Sequence, residues 1–97
     1  MGGHNGRMLR WEYALLVRRR EASGPSEWRM TYTWYSPDGT RQDVSALGDT
    51  AISHLNRAGA RGWELVSTEE DVNNLEGTTE VHRYYLKRPL PEADMVP

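Results

Sequence analysis

The chain has 97 residues, a net charge of −2, 27% charged side chains and no cysteine. That length suits one domain built on a single core, and without thiols there is no disulfide framework, thiolate metal site or cysteine nucleophile. The slightly acidic balance argues against a dedicated nucleic-acid binder, whose phosphate affinity comes from a basic surface that releases counterions.

Residues 1–9 carry Gly2, Gly3 and Gly6 without periodicity and read as a disordered tail. One domain is expected over 10–89, with an extended or disordered tail over 90–97. The opening MGGHNGRMLR lacks the apolar run of a signal peptide, and no stretch approaches the roughly 18–20 apolar residues of a membrane span. Position 6 is Gly where the myristoylation pattern wants Ser or Thr. A cytoplasmic protein without membrane attachment is expected.

WEYALLVRRR places Trp11, Tyr13, Leu15 and Val17 on one face by period two, with Glu12, Ala14, Leu16 and Arg18 on the other. A turn around Gly24-Pro25 leads into EWRMTYTWYS, where Trp28, Met30, Tyr32 and Trp34 alternate with Arg29, Thr31, Thr33 and Tyr35. This is an antiparallel partner for the first strand. SPDGT is a type I-like turn sequence with Pro37 in the second position, so TRQDV can return as a short additional strand.

From Ser45 the period becomes helical: Leu47, Ala51, Ile52, Leu55 and Ala58 share a face, with Ser45 as the expected N-cap. Gly59 stands where a left-handed residue ends a helix. GWELVST starts a third main strand with Trp63 expected in the core, EEDVNNLEGTT connects, and EVHRYYLKR returns as the fourth, ended by Pro89. Gly59 and Gly62 do not make a phosphate loop. Such a loop follows a strand and opens a helix, whereas here helix precedes glycines and strand, and the C-terminal end of a helix dipole repels anions.

Three of these segments, the strand opening WEY, the stretch LNRAGARGWELVS and the close YYLKRP, together resemble a small bacterial and phage family, domain of unknown function 4177. The resemblance covers the first strand and Leu47 to Pro89. The segment from about Arg20 to Val44 departs from the short family form. The resemblance implies a helix packed on a small antiparallel sheet and implies no activity.

The reading is therefore α+β: one helix on a four-stranded antiparallel sheet, five-stranded if TRQDV pairs, with the main strands ordered 3-4-1-2. One helix covers one face. The uncovered face is expected to carry Leu16, Tyr35, Val66, Tyr84 and Leu86, which points to a non-enzymatic interaction module that uses this face or an edge strand. Its partner is expected to be a second copy, a dimer being favoured, or a larger protein assembly.

Other chemistry is weaker. His4, His54 and His82 lack the spacing of a zinc site, no nucleophile signature appears, and Glu69 to Asp71 lack the spaced pattern of a calcium loop. No catalytic residue, cofactor or metal is expected. The alternative is a nucleic-acid accessory role, with Arg18, Arg19, Arg20, Lys87 and Arg88 as basic contacts beside aromatics able to stack bases. The expected topology places the two basic groups at opposite ends of the sheet. The arginine run is expected to meet Glu69 to Asp71, which would partly neutralise it.

Overall fold

The first strand continues past the arginine run to Gly24. In the computed structural model, which describes residues 8–72 and 79–91, β1 spans Trp11–Gly24 and pairs with β2, Glu27–Tyr35, across a turn at Pro25-Ser26. The expected tails, 1–9 and 90–97, and the connection EEDVNNLEGTT lie partly outside the described residues. After β2, Gly39 N–H donates to the Ser36 carbonyl at 2.8 Å and closes the turn that Pro37 initiates. The chain then forms β3, Arg41–Asp43, a single 3-10 turn at Ser45–Leu47, helix α1, Ala51–Gly59, and the strands β4, Glu64–Val72, and β5, Thr79–Pro89.

The fold is α+β, with one α-helix and one antiparallel sheet ordered β3-β2-β1-β5-β4 among the described residues. The sheet has five strands, the short β3 being the one that TRQDV allowed; the full order therefore differs in detail from a four-stranded sheet, while the long strands run β4-β5-β1-β2. β1 is the middle strand. Leu15 lies between Tyr35 and Tyr85 in register, and Leu16 between Trp34 and Tyr84.

That register fixes which side chains share a face, and the helix covers the opposite face from the one the sequence suggests. Leu16 and Leu86 are each only 1% exposed and form the centre of the core with Ala14, Tyr32, Val44, Ala58 and Trp63. Tyr84 and Trp34 pack against the same cluster. Both faces of β1 are apolar, so period-two alternation separates them without saying which is covered. The small side chain of Ala14 lies on the covered face. Topology supplies the rest: the chain from β3 to β4 must pass over β2, β1 and β5, and parallel strands of one sheet are joined by right-handed crossovers in about 98% of cases.

The helix also begins later than expected. Ser45 does not cap α1; its hydroxyl oxygen accepts from the Tyr32 backbone N–H at 2.8 Å and ties the 3-10 turn to β2. The N-cap is Thr50, which accepts from Ser53 N–H at 3.2 Å. Between them the chain needs Gly48, because a Cβ there would run into the Ser53 hydroxyl. His54 takes an unforeseen place in the helix–sheet interface. It is buried, stacks on Tyr32 with ring centroids 4.2 Å apart, and its Nε2 lies 2.9 Å from the Gly48 carbonyl, which assigns the ring proton to that nitrogen as donor. Ile52, expected on the buried stripe, points to solvent, and Leu47 precedes the helix and is exposed.

Gly59 is helical, and the left-handed residue is Gly62, at φ 91°. Trp63 N–H donates to the Ala58 carbonyl at 3.1 Å and Gly62 N–H to the Gly59 carbonyl at 3.0 Å. These are the two bonds of a Schellman motif with Gly62 as its C′ residue, and the apolar contact such motifs favour is made by Ala58 and Trp63, both buried in the core. The corner therefore delivers Trp63 into the core as expected.

Two stability predictions follow from this corner. Gly62→Ala forces a Cβ into the left-handed region and should cost about 1–2 kcal/mol, whereas Gly59→Ala, whose Cβ meets nothing within 4 Å, should gain about 0.4–1 kcal/mol. Urea denaturation of the two variants should show midpoints moving in opposite directions. In the same experiment Trp63→Ala should cost ~3–5 kcal/mol, because it empties the junction of helix and sheet.

Candidate functional site

Two features of the surface stand out: the sheet face away from α1, and a cleft where α1 meets the β2–β3 end of the sheet.

The open face is made by β1 residues Tyr13, Leu15 and Val17, flanked in register by Tyr35 and Tyr85. Tyr13 is 60% exposed and Tyr85 is also exposed, while Leu15, Val17 and Tyr35 are half-buried. The Tyr85 hydroxyl donates to Glu69 at 3.1 Å, and that bond raises the phenol pKa because it stabilises the protonated form. Arg83 reaches the same Glu69 oxygen at 3.4 Å. At the end of the face Lys87 lies 4.2 Å over the Trp11 ring.

The expected interface residues divide accordingly. Leu16 and Leu86 are core, and Tyr84 is half-buried beside them on the helix side, where burial raises its hydroxyl pKa. Tyr35 does lie on the open face, opposite Leu15. Val66 is 52% exposed within the bulge between Leu65 and Ser67, on the edge strand rather than the middle of a face. Leu65 stands just before the bulge, across the register from the buried Leu86, and is exposed as well on this edge strand. Tyr13, Leu15, Val17 and Tyr85 replace the buried candidates. Ala14 was the signal for this: a residue with only a methyl side chain, in mid-strand between larger apolar ones, marks the face on which another element can lie close.

The basic residues do not converge. Arg18 and Arg20 approach Glu80 at 3.9 and 3.6 Å, and Arg20 stacks on Trp28 at 4.2 Å, while Arg19 projects from the other face. The partner is Glu80, directly across the register from Arg20, and not Glu69 to Asp71, of which Glu69 and Asp71 lie by Arg83 and Glu70 by His82. Lys87 and Arg88 are consecutive on a strand and therefore point to opposite faces. His82 lies 3.2 Å from Glu80 and 3.5 Å from Glu70, and His4 lies outside the described residues.

The cleft has a volume of about 340 Å³. Trp34 and Trp63 line its base, with ring centroids 5.6 Å apart in an edge-to-face arrangement. Arg88 covers Trp63 at 4.3 Å; its Nε donates to Glu12 at 2.6 Å and its guanidinium to the Arg61 carbonyl at 3.0 Å. Arg57 and Arg61, both exposed, complete the rim from the end of α1, and Gln42 faces them from β3. No sequence motif marks this cleft, because its residues come from β1, β2, β3, the 3-10 turn, α1, β5 and the turns between them. Among the described residues no three His, Asp or Glu side chains group as metal ligands, and no helix is long and apolar enough to cross a membrane.

No protein-family model matches this chain, and no curated protein matches it significantly.

Proposed function

We propose that this protein is a non-enzymatic interaction module that pairs with a second copy of itself through the open sheet face. The observation that carries the reading is the row Tyr13, Leu15 and Val17 on the middle strand, bracketed by Tyr35 and Tyr85, with the helix on the opposite face. At ~3.3 Å rise per residue and ~4.8 Å between strands, the four long strands present roughly 700 Å² in plan, close to the ~800 Å² per partner of a standard interface. Tyrosine suits such a surface, since its ring buries well and its hydroxyl stays satisfied at the rim. An isologous pairing sets this patch against itself.

Edge-to-edge pairing is the poorer route. β3 offers only three residues, and β4 carries Glu64, Glu69, Glu70 and Asp71 together with a bulge, all of which discourage strand addition. A nucleic-acid role draws less support from the arrangement of basic residues, which are divided between faces and engaged by Glu12, Glu80 and tryptophan rings. The family resemblance, a non-enzymatic role and a cytoplasmic setting belong to the same proposal and rest on the sequence features that suggested them.

Light scattering coupled to size exclusion tests the pairing. Tyr13→Glu, at a position open in the single chain, should shift the equilibrium at least tenfold toward monomer, or about 1.4 kcal/mol, while leaving circular dichroism unchanged. Ile52→Glu, on the exposed side of α1, should not alter the oligomer. A wild type that stays monomeric at every accessible concentration defeats the proposal.

A further inference from the structure

Independently of how the sheet face is used, the cleft between α1 and the β2–β3 end has the features of a ligand site. We propose that it binds a small planar apolar molecule carrying one oxyanion group, a phosphate or a carboxylate.

Its volume of about 340 Å³ falls at the lower end of small-molecule pockets, which run from about 300 to 1,000 Å³. The lining includes Arg57, Arg61, Arg88 and His54 but no carboxylate. Arg88 is committed: Glu12 neutralises it and its stacking on Trp63 fixes its plane. Arg57 and Arg61 are different, with no carboxylate within 4.0 Å of either among the described residues. Arg57 stands in the last turn of α1 and Arg61 in the corner that follows it, and both line the cleft. The negative end of the helix dipole opposes an anion there with roughly half a charge, which two full guanidinium charges outweigh, and an oxyanion would accept from their N–H donors.

The other half of the site is apolar. Trp34 and the exposed Leu47 and Pro37 line the same space. Leu47 ends the 3-10 turn without joining the core cluster. A flat hydrocarbon body laid against Trp34 and Leu47 would bury that surface, with its charged end directed to Arg57 and Arg61. Gln42 offers an amide donor and acceptor at the rim. Apolar wall, oriented polar group and paired cations form the usual division of labour in a small-molecule pocket.

The test uses the full chain and proton–nitrogen correlation spectra. Naphthyl phosphate, naphthoate, uncharged naphthol and inorganic phosphate are titrated separately while the indole N–H signals of Trp34 and Trp63 and the amides of Gln42 and Arg61 are followed. The proposal expects saturable shifts at these positions from at least one naphthyl anion, with at least tenfold weaker binding of naphthol and of inorganic phosphate. Arg57→Gln and Arg61→Gln should each weaken the anion at least threefold and leave naphthol binding unchanged, with the remaining spectrum superimposable on wild type. Tighter binding of naphthyl phosphate than of naphthoate assigns the natural group as phosphate, and the reverse assigns carboxylate. No saturable shift from either anion, equal binding of naphthol, or shifts centred on Tyr13 and Tyr85 overturns the proposal.

Discussion

A single short helix has to carry the chain from one edge of the sheet to the other, and most of the structure depends on that constraint. α1 has nine residues, about 14 Å at 1.5 Å per residue, while five strands at ~4.8 Å spacing are about 19 Å across from first to last. The helix alone does not reach. The difference is made up by the 3-10 turn and extended Gly48 before it and the Schellman corner after it, and each has its own anchor. Ser45 holds the first to Tyr32, and Trp63 pins the second into the core. Between these anchors the helix can press only a few positions onto the sheet, so the core is built around Leu16 and Leu86 and remains small.

The same constraint divides the sheet along its length. Near the start of β1, the helix side is packed with Ala14, Leu16 and Trp63. Toward the β1–β2 turn the strands run on without α1 above them. There Trp28 and Met30 are exposed, and side-chain pairs such as Arg20 with Glu80 and Arg20 with Trp28 take the place of a core. Surface ion pairs contribute little individually, ~0–1 kcal/mol, so this end should open more easily than the helix-covered end. The residues that hold the fold thus lie under α1, while the exposed Tyr13 and Tyr85 lie on the opposite face.

Much of this architecture was legible in local patterns. Period-two alternation located β1, β2 and β5, and the change to a helical period located α1, because each reports backbone geometry over several residues. The side of the sheet that the helix covers was not legible in the alternation, since both faces of the middle strand carry apolar residues, and only the small Ala14 marked it. The helix ends were misplaced for a related reason. Both Gly59 and Gly62 satisfy the compositional rule for a C′ residue, but only Gly62 places Trp63 and Ala58 as the apolar pair of the motif. Of the expected surface candidates, Tyr35 and Val66 remain outside while Leu16 and Leu86 are core. The cleft could not be read locally at all, because Trp34, Arg57, Arg61 and Arg88 become neighbours only through the crossover.

The choice of aromatics fits this division. The chain has four tryptophans and five tyrosines but no phenylalanine, and three of the tryptophans support cations: Trp11 under Lys87, Trp28 under Arg20 and Trp63 under Arg88. A tryptophan at the margin of a small core can bury one surface of its ring and offer the other to a cation, worth about 0.5–1 kcal/mol where exposed and more where water is excluded. Phenylalanine offers a weaker ring potential and no polar edge. Trp63 shows the consequence most fully, since it closes the helix corner, packs against Trp34 and orients Arg88 at once. That stacking and Glu12 engage Arg88, whereas Arg57 and Arg61, which line the same cleft, have no carboxylate within 4.0 Å among the described residues. The corner that the fold requires for covalent continuity is therefore also what brings Arg61 beside Trp63 and the other residues that line the cleft.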